Sequence, residues 1–193
     1  EAAAEHTGFG LLEIDAENCT LRLTDPEASL DVGALGKGYA TERAAEYLES
    51  VGAESYVLNI GGNIRIIGTK PDGSGWVTGV KDPANTEQFA VKLILADTSC
   101  VTSGSYERYY TFDGVRYHHI IDPATGCPAE SGLVSVTVVC ENGAWADALS
   151  TALFCMPYED GAALAESLGA EVLWIFPDGE IRYTPGMEKL IAN

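Results

Sequence analysis

A chain of 193 residues with 46% hydrophobic content can bury a core and form one domain, so neither a disordered nor a fibrous protein is expected. A net charge of −18 argues against a nucleic-acid partner, because most of the surface would be repelled by a phosphate backbone. An anionic ligand must therefore be caught locally, by a metal ion or by aimed N–H groups.

Phe9 to Ile14 and Cys19 to Thr24 alternate as two short strands around the turn Asp15-Ala16-Glu17-Asn18. Leu30-Asp31-Val32-Gly33-Ala34-Leu35-Gly36-Lys37-Gly38-Tyr39 follows, a glycine-rich turn with a lysine at its tip that leads into a helix. Such a turn suits a phosphate: glycines admit close backbone approach, a helix start offers unpaired N–H groups, and Lys37 adds a charge. No Ser or Thr follows the lysine, so it is not a P-loop, and the spacing is not that of the dinucleotide fingerprint. An ordinary turn with an exposed lysine fits the same letters.

From Gly38 to Val51, Tyr39, Ala40, Ala44, Ala45, Leu48 and Val51 recur at helical spacing, with Gly52 as the stop. Strands are expected at Tyr56 to Ile60, Asn63 to Ile67, Trp76 to Lys81 and Phe89 to Leu95, with Gly61-Gly62 and Pro71-Asp72-Gly73 as turns. Thr102-Ser103-Gly104 offers hydroxyls without the elbow of a hydrolase nucleophile. Tyr109 to Phe112 and Val115 to Ile121 flank Asp113-Gly114, a strong hairpin signal, and this hairpin carries His118, His119 and Asp122 to its far end. Beyond it come a strand from Val134 to Cys140, helices at Ala144 to Met156 and Glu159 to Leu168, strands at Val172 to Phe176 and Ile181 to Thr184, and a short helical tail. Strands and helices without strict alternation point to an α+β fold in a single domain.

Asp147 and Thr151 are four apart in one helix, so a carboxylate and a hydroxyl share a face; that pair suits Mg²⁺, which takes few protein ligands and keeps places for water and phosphate oxygens. Equally, Asp147 could serve the helix dipole and Thr151 bond back to the preceding turn. His118 and His119 are neighbours in a strand and point to opposite faces, so only one can enter a given site, where an imidazole is a natural general base. The five cysteines, Cys19, Cys100, Cys127, Cys140 and Cys155, are odd in number and contain no C-x-x-C pair, which disfavours a disulfide framework or zinc ribbon; most are expected to be small buried hydrophobes. No apolar run is long enough to span a bilayer, and no signal-peptide pattern opens the chain. A first residue Glu1 in place of methionine suggests a processed or truncated product.

Taken in order, five blocks resemble the ApbE family of FAD:protein FMN transferases: Asp31 to Ala40, Asn59-Ile60-Gly61-Gly62-Asn63, Thr102-Ser103-Gly104, His119 to Pro128, and Ala146 to Leu153. The resemblance implies Mg²⁺-dependent transfer of FMN from FAD to a threonine hydroxyl of a target flavoprotein, such as a subunit of a membrane redox complex, with release of AMP. It implies that Mg²⁺ is held by the Ala34 carbonyl, the Asp147 carboxylate and the Thr151 hydroxyl. Asp31 and Lys37 would contact FAD, Ile120 would line its site, and His119 rather than His118 would be the catalytic base. It further implies an exported, membrane-anchored lipoprotein. Family members carry a region before the segment matching Phe9 to Thr24 that builds much of the flavin pocket, and this chain is expected to lack it, Glu1 to Thr7 being the tail of a helix from that part. Position 36 is glycine where many relatives have alanine, which loosens the turn. An FAD pyrophosphatase yielding FMN and AMP, and a non-catalytic flavin-binding module, remain alternatives on the same residues.

Overall fold

The computed structural model describes residues 2–192 of the chain. After two turns of 3-10 helix, Ala2–His6 and Phe9–Leu11, come β1 (Leu12–Asp15) and β2 (Thr20–Leu23), a small hairpin outside the main sheet. Helix α1 (Gly36–Ser50) follows, then β3 (Tyr56–Ile60), β4 (Asn63–Ile67), β5 (Trp76–Asp82), β6 (Asn85–Leu95) and β7 (Thr98–Gly104). Next are the hairpin β8 (Tyr109–Phe112) and β9 (Val115–His118), the two-residue strands β10 (Ile121–Asp122) and β11 (Cys127–Pro128), and β12 (Ser135–Cys140). The chain ends with α2 (Gly143–Cys155), α3 (Tyr158–Leu168), β13 (Glu171–Ile175), β14 (Ile181–Tyr183) and α4 (Pro185–Glu188).

One six-stranded sheet, ordered β14-β13-β12-β7-β4-β3 and antiparallel at every neighbour pair, organises the molecule. Alternation along its central strands sends side chains to two cores. Val136, Val138, Val172 and Trp174 meet Leu149, Leu153, Phe154 and Ala165 from the helical side. Leu173, Ile175, Ile66 and Cys100 meet Val80, Leu93 and Leu95 of the β5–β6 hairpin on the other side. This is the α+β architecture expected, as helices over one face of a sheet and a β-ribbon over the other.

Strand β7, which the sequence reading left without an element, pairs with both β4 and β12. Its run Thr-Ser-Cys-Val-Thr-Ser-Gly hides the usual apolar alternation because hydroxyls stand among its apolar residues; the half-buried ones find partners across the sheet, Thr98 donating to the Cys140 carbonyl (3.0 Å) and Thr102 bonding Thr137 (2.8 Å). The inward face of α1 also differs from expectation. Gly38, Thr41 and Ala45 are its buried residues, while Tyr39 is 57% and Val51 63% exposed. The helix turns its small residues inward because a second helix crosses it there. Two cysteines depart from the buried expectation too, since Cys19 and Cys127 are exposed; Cys100 is buried, which pushes its thiol up to about 12. Among the described residues no helix is long and apolar enough to cross a membrane.

Candidate active site at a helix crossing

Helices α1 and α2 approach so closely that a Cβ built on Gly38 would lie 2.1 Å from the Gly143 carbonyl oxygen and 2.7 Å from the Asp147 Cβ. Only glycine fits. Two carboxylates, each four residues beyond one of the crossing glycines, then cap the opposite helix. Asp147 Oδ2 accepts from the Gly38 N–H (2.8 Å), and Glu42 Oε2 accepts from the Gly143 N–H (2.6 Å). The cap at α1 is needed, because its N-cap position is Leu35, which has no side-chain acceptor. At α2 the Asn142 side chain adds bonds from the Ala144 and Trp145 N–H groups.

This arrangement brings Asp147 into the first turn of α1, where Lys37 stands. The Asp147 residue is 2% exposed, and the Lys37 ammonium donates to its Oδ1 at 3.3 Å and to the Gly33 carbonyl at 3.3 Å. A positive charge is thus held between a buried carboxylate and a main-chain oxygen of the glycine-rich turn. Asp31 shapes that turn, its Oδ1 accepting from the Gly33 N–H at 2.6 Å, and Ala34 is exposed beside it. Lys37 also runs along the second glycine turn, since a Cβ on Gly61 would meet its Cδ at 3.5 Å.

Thr151 lies one turn further along α2. Its hydroxyl donates back to the Asp147 carbonyl (3.3 Å) and lies 3.1 Å from the Ser103 hydroxyl, which in turn lies 2.8 Å from that of Ser150. Ser150 carries no local signal in the sequence, and Ser103 stands out there only as one hydroxyl of Thr102-Ser103-Gly104. Glu42 was missed as well, although Gly38 to Glu42 and Gly143 to Asp147 share a spacing that could have shown the reciprocal caps.

The strand expected to run from Val115 to Ile121 ends at His118, and His119 stands in the bend beyond it, so the two histidines part at the strand's end. His118 is half-buried, with both ring nitrogens bonded and its ring edge-on to Phe154. His119 is exposed; both its backbone N–H (3.2 Å) and its Nδ1 (3.1 Å) face the Arg108 carbonyl. A carbonyl accepts only, so the ring proton sits on Nδ1 and Nε2 keeps a free lone pair. Partial loss of water, with the positive charge of Arg108 added to it, outweighs that bond and lowers the His119 pKa below its ordinary value. Ile120 is packed in the core beside it, its N–H donating to His118 Nδ1 and its carbonyl accepting from the Ala129 N–H. The β8–β9 hairpin turns through Asp113 and Gly114 at φ of 47° and 79°, and Tyr110 stacks on Tyr117 at 5.2 Å on its outer face.

Among the described residues no three His, Cys, Asp or Glu side chains cluster as a metal site. A site of one carboxylate with carbonyl and hydroxyl oxygens is still the kind that Mg²⁺ accepts. The groups around Lys37 are of that kind, a buried Asp147 carboxylate and the Gly33 carbonyl, which together hold its ammonium.

A model described as the ApbE family matches residues 1–174. Curated relatives include the FAD:protein FMN transferase of Vibrio cholerae, 40% identical over 177 residues, which are 91% of this chain and 53% of that protein. The same-named protein of Treponema pallidum is 38% identical over 178 residues, 87% of this chain and 49% of its own length. The chain therefore spans about half the length of these relatives. Among solved structures, the ApbE protein of Thermotoga maritima superposes with a TM-score of 0.91 at 36% identity, over all of this chain and 62% of that one. The flavin transferase ApbE of Vibrio cholerae gives 0.86 at 35% identity, over 98% of this chain and 60% of its own. With a match running from the first residues into β13, and with these structural likenesses, the chain belongs to the ApbE family.

Proposed function

We propose that this chain carries the phosphoryl-transfer half of a Mg²⁺-dependent FAD:protein FMN transferase, with a threonine hydroxyl of a target flavoprotein as acceptor and AMP as leaving group. The observation that carries the reading is the Lys37 ammonium lodged between the Gly33 carbonyl and the buried Asp147 carboxylate. It is a cation cradle at the mouth of a glycine-rich turn in a protein of charge −18.

In this reading Asp147, the Thr151 hydroxyl and the Ala34 carbonyl hold Mg²⁺, which when bound neutralises charge on the pyrophosphate oxygens. Lys37 offers its ammonium to the phosphates, while Asp31 fixes the turn against FAD and the Ile120 segment lines the flavin side. His119 Nε2 takes the proton from the threonine hydroxyl as its oxygen bonds the FMN phosphorus. The bond from that phosphorus to the AMP oxygen breaks, and AMP leaves with the electron pair. The lowered His119 pKa keeps the imidazole neutral and competent as a base near pH 7.

Incubation of the chain with FAD, Mg²⁺ and an acceptor flavoprotein should leave acid-stable flavin on the acceptor and AMP in solution. Without acceptor, AMP together with free FMN would favour the pyrophosphatase reading, because water then takes the place of threonine. FAD binding with neither product would leave a flavin-binding module.

A further inference from the structure

His118 plays no part in the mechanism above, yet its surroundings are the most constrained of the hairpin. The Ile120 N–H donates to its Nδ1 at 3.3 Å, so that nitrogen carries no proton. The proton is on Nε2, which donates to the Ala129 carbonyl at 3.2 Å. Ala129 closes the circuit, its N–H donating to the Ile120 carbonyl at 3.0 Å. Three hydrogen bonds thus join His118, Ile120 and Ala129 in a ring. The imidazole edge also rests on Phe154, with centroids 5.5 Å apart and planes at 84°. Phe154 is fully buried on α2, the helix that carries Asp147 and Thr151.

We propose that His118 is a positioning residue: as the Nε2–H tautomer it pins the 118–120 segment of the hairpin to α2 and thereby sets the direction in which His119 presents its free Nε2. His118 is the last residue of β9 and His119 stands in the bend that follows it, so the anchored His118 backbone is the point from which the His119 ring is directed. The hydrogen bond from His119 Nδ1 to the Arg108 carbonyl completes the aim, but it can form only while the backbone at 118–120 is held. His118 therefore couples the base to the helix that holds the cradle, without touching substrate. The effect on turnover rests on the reading of His119 as the base; the effect on the His119 ring does not.

The test is His118→Phe, which keeps an aromatic ring against Phe154 and removes both ring hydrogen bonds. Ring-nitrogen NMR of the ¹⁵N-labelled full chain should show His118 protonated on Nε2 and His119 on Nδ1, and in H118F the His119 signals should move toward a mixture of tautomers. With FAD and Mg²⁺, kcat for AMP release should fall about tenfold while KM for FAD stays within about twofold, the mark of misplacement rather than lost binding. If H118F does not fold, His118→Asn replaces it, since its amide oxygen keeps the acceptor for the Ile120 N–H; it should then give a smaller shift of the same kind. A proton on His118 Nδ1 in the unmodified chain, or His119 signals and turnover indifferent to both variants, would overturn the proposal. Absence of AMP release from the unmodified chain would count against the transferase reading alone, and the NMR comparison would still decide the role of His118.

Discussion

The crossing of α1 and α2 and the β8–β9 hairpin each supply groups to one candidate site, and they hold those groups by different means. At the crossing, backbone packs on backbone at Gly38 and Gly143, and Asp147 and Glu42 each cap the opposite helix. At the hairpin, His119 is exposed and is placed by hydrogen bonds to Arg108 and, through the chain, by those of His118. A group held by close packing cannot be altered without disturbing the core, whereas one held by surface hydrogen bonds can be removed with little cost to the fold. Substitutions that disturb the packing at the crossing should therefore register as lost stability, and those at the hairpin as lost rate.

The largest effect expected from the hairpin is purely kinetic. His119→Gln should lower kcat for flavin transfer by about 10²–10⁴-fold, the usual contribution of a positioned general base, with a melting temperature unchanged within error. The pH profile sharpens the same point. Because the His119 pKa is lowered, the neutral form persists below the ordinary value of about 6.5, and the acid limb of kcat/KM should have its midpoint under that value. The unfolded chain takes up this proton at a higher pH than the folded one, so stability falls as the pH drops from about 6.5 toward the folded pKa. H119Q should lack that component of acid sensitivity.

At the crossing the expected order reverses. Gly38→Ala places a methyl group 2.1 Å from a carbonyl oxygen of α2, and a backbone atom in a helix cannot step aside. A loss of about 3 kcal/mol or more is expected, read as a fall in denaturation midpoint, and activity should fail with it. Asp147→Ala should cost less, about 1–3 kcal/mol, by leaving the Gly38 N–H without its acceptor. Asp147→Asn keeps an oxygen for that N–H and removes the charge. It should fold nearly normally, yet lose both Mg²⁺-dependent AMP release and any rise in melting temperature that Mg²⁺ gives the unmodified chain.

The same contrast explains what could be read from the sequence. β3 and β4 emerge residue for residue, because Gly61 and Gly62 at φ of 61° and 89° make a local turn between two apolar runs. The β8–β9 turn was likewise legible, since Asp113-Gly114 dictates it locally. Lys37 and Asp147 each stood out, but their meeting depends on chain segments 110 residues apart. Nothing local announces the helix crossing that joins them. β7 stayed hidden for a related reason: the hydroxyls of Thr98, Thr102 and Ser103 find their partners on β12 and α2, which no window of sequence around Thr98 to Gly104 contains. The apolar periodicity of α1 found Ala45 but missed Gly38 and Thr41 and included the exposed Tyr39, because a helix that must approach another closely buries its smallest residues rather than its largest.

The smallest effect isolates packing from propensity within one turn of α1. Gly36 begins the helix, and a Cβ there would meet only the Val32 Cγ2 at 3.7 Å, an ordinary contact. Gly36→Ala should therefore stabilise the chain by about 0.5–1 kcal/mol, through the reduced freedom of the unfolded state and the better helix propensity of alanine. It should also leave Lys37 and its bonds to Gly33 and Asp147 in place, so AMP release should be unchanged or slightly raised. The identical substitution two residues later is expected to destabilise by several times as much. If equilibrium denaturation found G36A and G38A equally harmful, the loss would have to come from the glycine-rich turn itself rather than from the approach of α2. The division between a packed crossing and a hydrogen-bonded hairpin would then need to be drawn elsewhere.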